Sequence, residues 1–162
     1  MGMALVILLV VLLCLFAVSF LSKRRFGTLG LGLAAGALLA KESSVDLALV
    51  LQKYDISLLD FSSATLASMI LTLLPPLVLL VSGPTYSSKK TAFLGALAFA
   101  LMGTMLLVGP ISTGFPVPDA NVRDVFAFTA DYESALIAGG VILAVIDSWL
   151  THNFHPLGKK KH

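Results

Sequence analysis

Apolar and polar residues alternate along this chain in long blocks, and the blocks predict helices that cross a bilayer. Met3 to Leu21 is apolar throughout, with no charge, and is long enough to span a hydrocarbon core of about 30 Å. Phe26 to Ala40 is shorter and rich in glycine, but the basic residues before it can snorkel to the interface. Ala64 to Val81 carries Pro75 and Pro76 in its second half. Thr91 to Ile111 ends at Gly109 and Pro110, and Ser134 to Leu150 is broken only by Asp147. The predicted fold class is all-α: a polytopic membrane protein of about five transmembrane helices (3–21, 26–40, 64–81, 91–111 and 134–150) forming one membrane domain over residues 1–162.

Two mixed stretches separate these blocks. In Lys41 to Ser63, Val45, Ala48, Leu49 and Leu51 interleave with Asp46, Gln52 and Lys53, the pattern of an amphipathic helix lying at the interface. In Ser112 to Glu133, Pro116 and Pro118 stop a helix, and Asp119 or Asn121 suits the cap of a short helix reaching Phe128.

The charges orient the helices. Basic residues accumulate on cytoplasmic loops. With the N-terminus outside and five alternating spans, Lys23, Arg24, Arg25, Lys89, Lys90 and Lys159 to Lys161 fall inside, eight of the 11 basic residues. The carboxylates Glu42, Asp46, Asp55, Asp60, Asp119, Asp124, Asp131 and Glu133 all fall outside. Dropping the last span would move the lysine tail outside. The expected topology is therefore N-out and C-in. The opening lacks the basic region that precedes a signal peptide's apolar core, which reads as a retained first helix. Position 6 is valine where a myristoylation motif has Ser or Thr.

Composition narrows the function classes. Residues are 57% hydrophobic and 12% charged, against roughly 25% charged in a soluble domain. A formal net charge of +2, without interleaved basic and aromatic residues, gives no nucleic-acid surface. The single cysteine, Cys14, excludes an internal disulfide and a cysteine-based metal cluster. No nucleophile elbow, zinc-protease motif or phosphate loop is present, so the chain reads as non-enzymatic and without cofactors.

Three features are candidates for a role. Gly32 and Gly36 form a GxxxG pair, and Ala92, Ala96 and Ala100 repeat the small-residue spacing; both suit close helix packing, within one chain or between copies. Pro75 and Pro76 remove the amides that would bond the carbonyls of Leu71 and Thr72, and the hydroxyls of Thr65, Ser68 and Thr72 lie on the face that would re-satisfy them. A plain kink and a broken helix beside a solute path are both consistent with that arrangement. Asp147 is either an interfacial carboxylate beside Trp149, near Lys89, Lys90 or His152, or a membrane-buried group sharing a polar cavity with Thr65, Ser68 or Thr72. His152 and His155 follow it at a spacing that alone does not complete a metal site.

The segments Phe20-Leu21-Ser22-Lys23-Arg24-Arg25-Phe26-Gly27 and Phe93-Leu94-Gly95-Ala96-Leu97-Ala98-Phe99-Ala100-Leu101-Met102-Gly103 resemble the basic first turn and a later glycine-spaced helix of the colicin V production protein family. That resemblance implies a small bacterial inner-membrane protein linked to secretion or envelope maintenance, without catalysis. The expected partners are the lipid bilayer and either other membrane proteins or further copies of the chain. A small transporter or channel subunit, and a holin-like pore protein with a lysine-rich tail, are the alternative readings.

Overall fold

The computed structural model describes residues 3–54, 62–114 and 131–153. Within them lie the helices α1 (Met3–Ser22), α2 (Phe26–Lys53), α3 (Ser63–Ser82), α4 (Lys89–Gly114) and α5 (Glu133–Asn153). The short helix expected after Asp119, the stretch from Asp55 to Phe61, His155 and the lysine tail lie outside the described residues. α3 and α4 contain segments, Ser63–Ser82 and Lys89–Ser112, that are long and apolar enough to cross a bilayer; Val6–Ser22 and Ser134–Trp149 are shorter apolar stretches.

Four of the predicted spans agree with the helices to within a few residues, but α2 is a correction. It does not stop at Ala40 and restart as a separate interfacial helix; it runs on to Lys53. At 1.5 Å per residue its 28 residues measure about 42 Å, more than the hydrocarbon core. Nothing between Ala40 and Val45 breaks a helix, and Ala48 and Leu51 are buried against Leu66 and Ala67 of α3. The amphipathic pattern is therefore that of an extension packed on its neighbour.

Successive helices run antiparallel, but neighbours in space are not all neighbours in sequence. α2 is central, packing on α3, α5 and α4, while α1 lies along α4. Phe16 and Phe20 of α1 meet Phe93 of α4 edge-on at 5.4 and 6.2 Å. Leu29 and Leu33 of α2, Phe99 of α4 and Ala144 of α5 form the centre of the core.

Small residues explain why α2 takes the centre, because they let helix backbones approach closely. Gly27 and Gly30 face α5: a Cβ at Gly27 would stand 2.7 Å from the carbonyl of Ala144. Gly32 and Gly36 face α3: a Cβ at Gly36 would stand 2.9 Å from the carbonyl oxygen of Leu71 and would also strike that of Thr72. Ala92, Ala96 and Ala100 are all buried. The GxxxG pair thus packs within one chain.

α3 stays helical through Pro75 and Pro76. The two carbonyls that these prolines deprive of amide partners are the ones lying against Gly36. The hydroxyls have partners elsewhere: Thr72 donates to the carbonyl of Ser68 at 2.8 Å, and Thr65 sits beside the N-cap Ser62 at 2.9 Å. A glycine Cα–H facing a carbonyl is a weak donor that suits this gap.

Candidate functional site

The ends of all five helices that carry Ser22, Phe26, Ser82, Lys89 and Asp147 meet at one pole of the bundle. There the α1–α2 turn is locked to the α3–α4 loop. Lys23 adopts a left-handed φ of 51°, which allows a two-helix reversal in three residues. Its carbonyl accepts the amide of Tyr86 at 2.8 Å, and the amide of Arg25 donates to Pro84 at 3.0 Å.

Arg24 and Arg25 complete the lock. Arg24 donates to the carbonyls of Gly83 and Val81, the latter at 2.7 Å. These carbonyls lie at the end of α3, where a cation opposes the negative pole of the helix. Arg25 donates to the carbonyl of Thr85 at 3.2 Å and its guanidinium sits 5.8 Å from the centroid of the Tyr86 ring.

The start of α2 poses a problem that local sequence does not solve. Its N-cap is Arg25, which makes no side-chain capping bond. The first amides of a helix have no partner within it. Two residues remote in sequence supply the partners: the phenol oxygen of Tyr86 accepts from the Phe26 amide at 3.1 Å, and Oδ2 of Asp147 accepts from the Gly27 amide at 2.8 Å. The Tyr86 hydroxyl in turn donates to the carboxylate, 3.1 Å from each oxygen. A carboxylate at this position also meets the positive pole of α2. Burial beside Asp147 holds the Tyr86 phenol in its neutral form, its pKa pushed up to about 12; the Phe26 amide and Arg25 oppose that shift.

Asp147 stands at the pole end of α5. It is half-buried at the pole, and its bonds are to Gly27 and Tyr86. It borders a cavity of about 240 Å³ with Phe26, Tyr86 and Thr91. Thr72 borders a different cavity, about 190 Å³, with Lys41, Ser44 and Pro110. Gly36, against which Thr72 packs, lies nine residues beyond Gly27, about 13 Å along α2. Among the described residues, Asp147 and Thr72 thus border separate cavities rather than one shared path. Among the described residues no group of three metal-ligating side chains comes together.

Sequence reasoning singled out Asp147, Pro75, Pro76 and Thr72 but missed Tyr86. A tyrosine in a short polar loop carries no periodic signal, and its role appears only when three helix ends converge.

Fold and site together define an all-α bundle clamped at one pole by a half-buried polar network. Comparisons with family models, with characterised proteins and with solved structures found no match. The resemblance to colicin V production proteins therefore rests on the two segments quoted above.

Proposed function

We propose that the chain is a multi-pass protein of the bacterial inner membrane, N-out and C-in, serving as a non-enzymatic scaffold for assembly or secretion-associated partners in the envelope. The observation that carries the membrane reading is the outer surface. Large apolar residues are exposed along the outward faces of α1, α3, α4 and α5, reaching 79% at Leu21 and 81% at Val81. Water-facing proteins rarely expose contiguous apolar patches above a few hundred Å². The distribution of charge supports the orientation: Lys23, Arg24, Arg25, Lys89 and Lys90 share the clamped pole, while Lys41, Glu42, Asp46 and Asp131 lie toward the other.

The scaffold reading draws on the clamp. Its ionisable groups bond to backbone amides and carbonyls at helix ends, the work of holding helices in place. The two bordered polar cavities lie at different heights of the bundle, which gives the transporter and pore alternatives less support.

Cysteine scanning tests the topology. In a Cys14→Ser background, a cysteine at Ser43 labels with an impermeant thiol reagent in whole cells. Cysteines at Ser88 and Gly158 label only after the membrane is opened. Labelling of position 158 in intact cells alongside 43 would overturn the five-span topology. Recovery of envelope proteins with the chain after mild solubilisation would support the scaffold role; solute flux in proteoliposomes would replace it with the transporter.

A further inference from the structure

α4 and α5 touch sparsely, and the space between them is a crevice that no side chain among the described residues fills. Its upper part is the cavity bordered by Tyr86, Thr91 and Asp147; its lower part, about 350 Å³, is bordered by Met102, Met105 and Gly139. The two parts adjoin, since Phe26, Ala98 and Leu143 border both. From Thr91 to Met105 the crevice follows 14 residues of α4, about 21 Å. One leaflet of hydrocarbon is about 15 Å deep, half of the bilayer core. Gly139 keeps the α5 wall open: a Cβ there would meet nothing within 4 Å.

The two ends differ in chemistry. The lower part is almost wholly apolar. The upper part opens at the clamped pole, where Lys89 and Lys90 are exposed immediately before Thr91 and Arg25 lies over the Tyr86 ring. The one carboxylate there, Asp147, is turned inward to the Gly27 amide and the Tyr86 hydroxyl. Two exposed lysines therefore stand at this end, with Arg25 held against the Tyr86 ring and an internally bonded anion behind them.

We propose that this crevice is a lipid site: it holds one acyl chain of an anionic phospholipid, with the phosphate at Lys89 and Lys90 and the chain running past Met102 and Gly139. The proposal rests on the membrane reading above. Its elements are an apolar crevice with polar side chains, Tyr86, Thr91 and Asp147, at one end only, a length exceeding one leaflet, and exposed lysines at the start of the helix that forms its wall. A basic residue near an anionic headgroup contributes about 1 kcal/mol, roughly fivefold in affinity.

The test counts lipids retained by the purified, full-length chain in native mass spectra, after titration with dioleoylphosphatidylglycerol or dioleoylphosphatidylcholine. One phosphatidylglycerol is expected to remain bound under conditions that strip phosphatidylcholine. Lys89→Gln with Lys90→Gln, both exposed and outside the core, reduces that preference by about fivefold per lysine. Gly139→Phe fills the crevice and removes the bound lipid. Equal retention of the two lipids, or undiminished phosphatidylglycerol on both variants, overturns the lipid site while leaving the membrane reading intact. Recovery of the chain in the soluble fraction without detergent overturns both.

Discussion

Asp147, near the end of α5, accepts the amide of Gly27 at the start of α2 across 120 residues of sequence. The bond does the work of an N-cap, but the capping residue comes from another helix. α2 is thereby fixed to α5 at the point where its own N-cap position, Arg25, offers nothing. Replacing Asp147 with Asn keeps the shape but removes the charge that opposes the α2 pole and strengthens the Gly27 bond. We expect Asp147→Asn to cost about 1–2 kcal/mol in detergent or urea unfolding, with the fold retained. Unchanged stability would show that the carboxylate does not cap α2.

Tyr86 joins the same network from the α3–α4 loop. Tyr86→Phe leaves the Phe26 amide without the phenol as acceptor and removes one of the donors to Asp147, and is expected to cost about 1–2 kcal/mol near neutral pH. The phenol also makes stability depend on pH in the alkaline range. Its folded pKa, about 12, lies above the ordinary tyrosine value of 10.0. Between those values the unfolded chain has lost the proton that the folded chain keeps, so stability is fully present below pH 10 and declines toward pH 12. The difference between the parent and Tyr86→Phe should shrink across that interval in pH-dependent unfolding. A constant difference would place the phenol in water.

The contact between Gly36 and α3 predicts an ordered series. A single methyl at Gly36 strikes the backbone carbonyl of Thr72, which cannot move without shifting the helix. At Gly32 the nearest atom is the end of the Leu79 side chain, 2.8 Å from a Cβ, with Pro76 Cα at 3.1 Å. Gly36→Ala should therefore destabilise more than Gly32→Ala, by roughly 1–3 kcal/mol for overpacking at Gly36. Gly36→Leu should prevent assembly of the bundle. Leu38→Ile, 55% exposed on the outer face, should stay within about 0.5 kcal/mol. Equal thermal stability of Gly36→Leu and the parent would exclude the tight α2–α3 crossing.

Lys23 holds the α1–α2 reversal through its left-handed backbone rather than its side chain. Lys23→Gly should be neutral or slightly stabilising, because glycine adopts φ of 51° without a Cβ penalty. Lys23→Val should destabilise by about 1–2 kcal/mol, since a β-branched residue resists that conformation. Similar thermal unfolding of the two variants would mean that the turn relaxes to an extended backbone.

Much of this fold is legible in the sequence because helix formation is local. Apolar blocks place α1, α3, α4 and α5 within a few residues, and Gly32, Gly36 and the Ala92 to Ala100 spacing mark close crossings before any partner is known. The polar stretch after Ala40 was the exception. Whether an amphipathic pattern ends one helix or extends it depends on what Ala48 and Leu51 meet, and that is a tertiary contact. The pairing of α1 with α4 depends likewise on the fit of Phe16 and Phe20 against Phe93. So does the fate of Asp147: one carboxylate in an apolar block is compatible with water, a solute path or a helix end. Only the convergence of α2, the Tyr86 loop and α5 at one pole makes it a cap. Sequence by itself determined which segments are helical and which faces are small, because backbone hydrogen bonds within a helix need no distant partner. The tertiary structure decided which faces meet and how the unpaired amides of α2 are satisfied, because those partners lie 60 and 120 residues away.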